Sequence, residues 1–297
     1  MFLEKVFSKS FSYLTIRKFR NKYRVNTAQR VLVNFLLDKE KIYSDEGEVI
    51  YENIIKVKLN KNAREEIEIE KEVFFDELKK EKKFLIDLSL FELHSRKGKS
   101  SLRVQVSNTL SIIRDFLFDT NLILVGDIDY SFLGKNIVLK YRKIGDVDIE
   151  NYKAIILDPK GEILFDERTL REYELFLIGG IVDVGLEWEG GTSYLFRNID
   201  LPRARIELEG SIKGVPDRIN ILIKILLESY YLNIPLRNAI VRNQGKKDIL
   251  NRLWYEIKKY SNGKTIRRED IDNILRNLNL SREKLIEFLE KNNFKIV

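Results

Sequence analysis

Three short stretches of the 297-residue chain combine glycine with an acid, two of them with proline as well, in a pattern suited to ligand binding. They are Leu157-Asp158-Pro159-Lys160-Gly161, Ile178-Gly179-Gly180-Ile181-Val182-Asp183, and Glu209-Gly210-Ser211-Ile212-Lys213-Gly214-Val215-Pro216-Asp217-Arg218. Glycine lets a backbone approach a bound group closely and adopt positive φ. Such loops can hold a flat ligand mainly through main-chain N–H and C=O groups. Each stretch also has a plainer reading. Gly179-Gly180 can be a turn after a buried strand, Asp158-Pro159 is a common turn dipeptide, and Asp217 can cap a helix beside Pro216. No Gly-Lys-Ser/Thr follows Gly210 or Gly214, so a P-loop is discounted, and no Gly-x-Gly-x-x-Gly follows a strand.

Composition narrows the remaining chemistry. There is no Cys, which excludes disulfides, thiolate metal sites and cysteine nucleophiles. The single His, His94, excludes multi-histidine metal sites, and no metal site is expected. It lies in the polar run Leu93-His94-Ser95-Arg96-Lys97 and is expected to face solvent. The net charge is +7, but its distribution is uneven. Residues 1–30 carry eight basic groups against one acid, and residues 236–297 carry 15 against 8, so the body between them is acidic. An acidic body with basic ends suits a protein that grips a polyanion with its extremities. The N-terminal candidates are Arg17, Lys18, Arg20, Lys22 and Arg24. No apolar run approaches the roughly 20 residues of a membrane span, and no secretory signal is apparent, so a cytoplasmic protein is expected.

These loops need elements to position them. Phe84–Leu88, Leu122–Gly126, Ala154–Pro159, Leu175–Gly180 and Ala204–Leu208 read as strands. Ser100–Asp119, with Leu102, Val106, Leu110, Ile113 and Leu117 on one face, and Pro216–Tyr231 read as helices. Continuous apolar strands alternating with helices predict an α/β fold with a mostly parallel sheet covered on both faces. Three domains are expected: a basic α+β domain over 1–80, the α/β domain over 81–235, and a basic helical domain over 236–297. In the first, residues 2–14 have helical spacing, strands are expected at 49–51 and 54–59, and Ile67–Val73 alternates with period 2. The charged segment Asp76–Lys83 marks its end. In the last, helices are expected over 246–260, 268–278 and 281–291, with Ser281 as an N-cap.

Taken together and in order, several motifs resemble the tRNA purine-9 N1-methyltransferases in their archaeal branch, members of the knotted SPOUT class that uses S-adenosylmethionine (AdoMet). The resemblance covers roughly residues 84–231. It is carried by Asp87-Leu88-Ser89, Ser100-Ser101-Leu102-Arg103-Val104-Gln105, Leu157-Asp158-Pro159, Ile178–Asp183, Leu201–Ile206 and Gly210–Asn220. It implies a C-terminal trefoil knot, with AdoMet bent within it and lined by Leu157, Gly179, Gly180, Gly210, Ser211, Gly214 and Val215. It also implies that Asp183 and Asp217 stand near the methyl-transfer centre, that Gln105 belongs to a conserved helix start, and that the protein works as a monomer without an obligatory protein partner. One departure matters: Val184-Gly185-Leu186-Glu187-Trp188-Glu189 is acidic and aromatic where eukaryotic members carry a basic run. Phosphate contacts near the site would then fall to Arg203, Arg205 or Lys213, with tRNA as the partner.

The implied reaction is in-line attack of purine N1 on a sulfonium methyl group. Adenine N1 already carries a lone pair, whereas guanine N1 must lose a proton to a base. An ordinary Asp, at a pKa of ~3.9, is a poor base for that task. Adenosine is therefore favoured and guanosine left open. Two alternatives stand beside this reading. One is a knotted methyltransferase acting on another RNA site. The other is a DNA-binding regulator in which Thr265–Phe294 forms a helix-turn-helix below a ligand-sensing α/β domain.

Overall fold

The computed structural model describes residues 1–19, 26–182 and 190–297. The chain divides into two units, Met1–Ala154 with Tyr173–Gly191, and Ile155–Glu172 with Thr192–Val297.

The first unit contains α1 (Phe2–Phe7), β1 (Tyr13–Ile16), α2 (Thr27–Leu36), β2 (Glu48–Glu52), β3 (Lys56–Leu59), α3 (Glu72–Lys79), β4 (Lys83–Asp87), α4 (Arg96–Phe116), β5 (Leu122–Val125), β6 (Leu139–Tyr141) and β9 (Leu175–Gly179). Strands β1, β3 and β2 form a small sheet in that order, with β1 parallel and β2 antiparallel to β3. Strands β6, β5, β4 and β9 form a parallel sheet. Every residue of β4, β5 and β9 is buried, which explains why these strands read as continuous apolar runs rather than as alternation. Helix α4 buries Leu102, Val106, Leu110 and Ile113. It starts four residues earlier than expected because Ser95 caps it, its Oγ accepting from the Gly98 N–H at 3.1 Å. It stops at Phe116, where Leu117 turns extended. Arg114 then donates to the fully buried Asp119 at 2.6 and 2.7 Å, fixing the turn into β5.

Two expectations for the N-terminal region need correction. Helical spacing over residues 2–14 yields a helix only to Phe7, and Leu14 lies in β1. The alternation over Ile67–Val73 forms no strand, because Phe74 and Leu78, four apart, bury themselves by making α3 from Glu72. The charged stretch Asp76–Lys83 is the outer face of α3 followed by the start of β4.

The second unit contains β7 (Ala154–Leu157), β8 (Ile163–Leu164), α5 (Glu167–Glu172), α6 (Gly191–Leu195), β10 (Arg203–Arg205), α7 (Ile219–Leu232), α8 (Leu236–Arg242), α9 (Lys246–Tyr260), β11 (Ser261–Asn262), β12 (Thr265–Ile266), α10 (Asp270–Leu275), α11 (Arg282–Lys291) and β13 (Lys295–Ile296). Strand β10 lies between β7 and β8 and is parallel to both. Helix α7 starts at Ile219 rather than Pro216, since Arg218 approaches it in an extended conformation. The C-terminal segment has its own core of Leu253, Ile257, Ile266, Ile271, Ile274, Leu278, Leu285 and Leu289. Helix α9 falls where expected, α10 is shorter, and Ser281 caps α11. Its small sheet β11–β12–β13 and helix α8 are additions. Both units are thus mixed α/β, built around parallel strands. Among the described residues, no helix is long and apolar enough to cross a membrane.

Candidate active site

In the first unit, Gly179 and Gly180 sit at the carboxyl end of β9, beside that of β4. Gly179 pairs with Asp87 across the two strands, and the Gly180 N–H donates to the Asp87 carbonyl at 2.8 Å. The approach leaves no room for a side chain. A Cβ on Gly180 would stand 2.5 Å from that carbonyl oxygen and 2.6 Å from Leu88 Cδ2. The Asp87 side chain, 2 % exposed, accepts from the Ser89 N–H at 2.8 Å. Burial pushes its carboxyl above the ordinary range, against the lowering effect of that hydrogen bond. Burial, followed by the charges of Asp87 and Asp127, also raises the Tyr130 phenol. Gln105 is buried on α4, with its amide 3.3 Å from Ser101 Oγ. Asp183 and the run Val184–Glu189 lie outside the described residues.

His94 corrects the sequence reading. It is 5 % exposed rather than solvent-facing. Its Nδ1 lies 2.9 Å from the Leu90 carbonyl, and its Nε2 lies 3.2 Å from the Val182 N–H. A carbonyl can only accept and an amide N–H can only donate. These partners therefore assign a neutral imidazole with its proton on Nδ1. The only histidine thus anchors the residue before Asp183. Its neighbours Ser95, Arg96 and Lys97 are exposed, which is why the local sequence looked like surface. Gly98 makes room for it, since a Cβ there would lie 3.1 Å from His94 Cβ.

In the second unit, the loop after β7 is built on Asp158, 2 % exposed. Its carboxylate accepts from the Lys160 N–H at 2.9 Å, Ser193 Oγ at 2.6 Å and Arg203 Nη1 at 3.2 Å. The first of these closes an Asx turn around Pro159. Leu157, 6 % exposed, pairs with Ala204 of β10. Gly161 sits so close to β10 that a Cβ would meet Ala204 and Arg203 backbone atoms at 2.7 Å. Arg203 also donates to the Phe196 carbonyl at 2.6 Å. Arg205 donates to Glu207 at 2.7 Å and to the Gly161 and Glu162 carbonyls at 2.9 Å. Both arginines thus brace this loop from within the unit.

The third loop reverses at Glu209 and Gly210, whose φ values of +49° and +76° are those of a type I′ turn. The Leu208 N–H donates to the Ser211 carbonyl at 2.8 Å across it. Ser211 Oγ accepts from the Lys213 N–H at 3.1 Å, and the Val215 N–H donates to the Ile212 carbonyl at 3.2 Å. Apart from its two chain neighbours, no atom of the described residues lies within 4 Å of where a Cβ on Gly210 would sit. Gly214 is the opposite case, with φ +86° and a would-be Cβ 2.4 Å from Arg252 Cβ. Asp217 does not cap α7. Its side chain is 71 % exposed and lies 3.5 Å from Lys247 Nζ. Lys213 is exposed. In the first unit, Arg17 donates to the Ala63 carbonyl at 2.8 and 2.6 Å and covers the Tyr43 ring, while Lys18 is exposed. Arg20, Lys22 and Arg24 lie outside the described residues.

Comparison with known proteins places this arrangement. No family model matches the chain. It is 39% identical over 180 residues to the tRNA (adenine(9)-N1)-methyltransferase of Sulfolobus acidocaldarius, covering 60% of each chain. It is 25% identical over 235 residues to the tRNA (guanine(9)-/adenine(9)-N1)-methyltransferase of Thermococcus kodakarensis, covering 66% of this chain and 62% of that protein. The chain therefore spans about three fifths of the length of these curated relatives. Among solved structures, a crystal structure of Sulfolobus acidocaldarius Trm10 matches 82% of this chain and 98% of its own, at 32% identity and a TM-score of 0.59. The chain belongs to the Trm10 family. A crystal structure of Sulfolobus acidocaldarius Trm10 with S-adenosylhomocysteine extends the likeness to 98% of this chain and 99% of its own, at 28% identity and a TM-score of 0.74.

Within the Trm10 frame, sequence reasoning missed residues that hold the candidate loops rather than line them: His94, Ser193, Gln244 and Arg252. Asp87 entered only as part of a motif. A carboxylate closing a fully apolar strand was a signal that could have raised it further.

Proposed function

We propose that this chain is a tRNA methyltransferase that transfers the methyl group of AdoMet to N1 of the purine at position 9, with adenosine favoured and guanosine open. The observation that carries the reading is the 39% identity to an adenine-9 enzyme, and the dual-specific relative keeps guanosine in view. The residues present suit the cofactor. The loop at Gly210 opens onto space free of atoms of the described residues other than its chain neighbours, and its turn is closed by a main-chain hydrogen bond. A ligand recognised through backbone groups needs such fixed turns. Leu157, Gly179, Gly180, Gly210, Ser211, Gly214 and Val215 would line it, in a trefoil knot of the SPOUT kind.

Bound there, AdoMet supplies an electrophilic methyl on a sulfonium centre. The chain's own contribution is to align the purine with it. Adenine N1 offers a lone pair, and Asp183 stabilises the positive charge that grows on the base. Gln105, buried on α4, would stand with Asp183 among the catalytic residues, and the exposed Asp217 stands where a large substrate can reach it. The target base of a folded tRNA must leave its stack, which calls for a broad grip on phosphates. Domains over 1–80 and 236–297 would supply that grip around a methyltransferase domain over 81–235. Lys18 and Lys213, with Arg17, Arg20, Lys22 and Arg24, are the proposed contacts. Arg203 and Arg205 would act chiefly by shaping the loop they brace. The protein would work in the cytoplasm as a monomer.

The test is incubation of the full chain with methyl-labelled AdoMet and unmodified tRNAs carrying A9 or G9, followed by mapping of the labelled nucleoside. Label as 1-methyladenosine at position 9 is expected. Label at another position, or none on either tRNA, would overturn the assignment.

A further inference from the structure

Two carbonyls of the loop Leu208–Asp217 accept from one buried arginine. Arg252 of α9 is 0 % exposed. Its Nη1 donates to the Leu208 carbonyl and, at 3.2 Å, to the Lys213 carbonyl, so one guanidinium spans both ends of the turn. Its Nε and Nη2 meet Glu256 Oε1 at 2.6 and 2.5 Å. Glu256 is also fully buried, and the same oxygen accepts from Asn277 Nδ2 at 2.9 Å. Beside this pair, Gln244 Nε2 donates to the Gly214 carbonyl at 3.0 Å and to the Asn277 carbonyl at 3.1 Å, while its Oε1 accepts from the Asn279 N–H at 3.1 Å. Arg237 meets Glu209 at 3.2 Å at the loop's outer end. The Arg252 stem also explains Gly214, whose missing side chain is what lets α9 press against the loop.

A buried ion pair is poor value as a stabiliser, because an apolar pair of the same volume packs without the desolvation penalty of several kcal/mol per ion. What an apolar pair cannot do is donate to two carbonyls. We infer that Arg252, held by Glu256 and seconded by Gln244, is a positioning residue for the methyl donor: it sets the shape of the donor-lining turn from the C-terminal segment. This rests on the reading above that Gly210–Val215 line AdoMet.

The experiment is calorimetric titration of AdoMet into the full chain. Wild type is compared with Arg252→Met/Glu256→Gln, which removes both charges at similar volume, and with Arg252→Lys, which keeps the ion pair but cannot span both carbonyls. The double variant should raise the AdoMet Kd at least tenfold while tRNA affinity stays within twofold, with Arg252→Lys in between. A merely structural role would lower Tm and the binding-competent fraction, yet leave the Kd of the folded fraction unchanged. A Kd within twofold of wild type in the double variant overturns the inference. If that variant does not fold, the same limit applied to Arg252→Lys decides. Absence of AdoMet heat in the wild type would instead defeat the functional reading itself.

Discussion

Three glycines of the candidate loops are glycine for different physical reasons, and alanine substitution separates them. At Gly210 an alanine Cβ meets no atom of the described residues within 4 Å apart from its chain neighbours, but must adopt φ +76°. Left-handed backbone costs an L-residue about 1–2 kcal/mol, partly offset by a stiffer unfolded chain. At Gly180 the backbone φ is ordinary, but the new Cβ would lie 2.5 Å from the Asp87 carbonyl oxygen, and a strand carbonyl cannot rotate away. The ends of β4 and β9 must part, and the 2.8 Å hydrogen bond from the Gly180 N–H weakens with them. Overpacking at about 1–3 kcal/mol and a lost hydrogen bond at about 0.5–1.5 kcal/mol give roughly 2–4 kcal/mol. At Gly214 both penalties apply, since φ is +86° and Arg252 Cβ stands 2.4 Å away, for roughly 2–5 kcal/mol. Urea unfolding of the three variants should therefore order them Gly210→Ala, then Gly180→Ala, then Gly214→Ala in increasing loss, at an unchanged denaturant slope. AdoMet binding should follow a different order: Gly210→Ala loses affinity while keeping most of its stability, because its methyl enters the space the donor would occupy. A Gly180→Ala variant as stable as wild type would refute the steric reasoning, and so would a Gly210→Ala variant that unfolds as readily as Gly214→Ala.

Two further outcomes are expected. Burial raises the Asp87 carboxyl, so the native state binds its proton more tightly than the unfolded chain. That contribution to stability is complete below the unfolded pKa of about 3.9 and is lost as pH rises through the native value, at about 1.4 kcal/mol per unit of difference. Asp87→Asn keeps an acceptor for the Ser89 N–H and should flatten the fall in Tm between acid and neutral pH; an unchanged Tm–pH curve would refute the assignment. His94→Phe strands the Val182 N–H and the Leu90 carbonyl and should cost about 1–3 kcal/mol in urea. Nitrogen-15 spectra of the wild type should show one imidazole protonated at Nδ1, and a proton on Nε2 would contradict the geometry.

What the sequence disclosed and what it hid follow from the range of the forces involved. Strands β4, β5, β7 and β9 announce themselves because burial on both faces demands unbroken apolar runs. Helices α4, α7 and α9 were visible in outline, and their ends shifted where a cap or an extended approach intervened, as at Ser95 and Arg218. Strands of two or three residues, such as β8, β11 and β12, carry too little pattern to be seen. The glycine loops were legible as glycine loops. Their supports were not, because the partners are remote in sequence: Val182 lies 88 residues from His94, and Leu208 lies 44 from Arg252. A buried histidine amid exposed Ser95, Arg96 and Lys97 has no local signature at all.

The same remoteness changes how the chain's basic charge should be read. Counting Lys and Arg together against Asp and Glu gives +7 and two cationic ends. On two loops of the second unit, arginines supply most of the bracing. Arg203, Arg205, Arg237 and Arg252 each engage an acid and reach at least one backbone carbonyl, and together they hold the loops after β7 and β10. A planar fork with five donors can bridge two acceptors at once, which a single ammonium does less well. Lys160 and Lys213 stay exposed on those same loops. Under the function proposed above, these loops keep backbone groups available to a ligand, and arginine forks add to the few hydrogen bonds the loops make within themselves. The charge offered to a polyanion is then smaller than the basic count suggests and weighted toward lysine, and the salt dependence of the proposed tRNA binding should respond to Lys213→Ala more than its place beside two arginine-braced loops would imply.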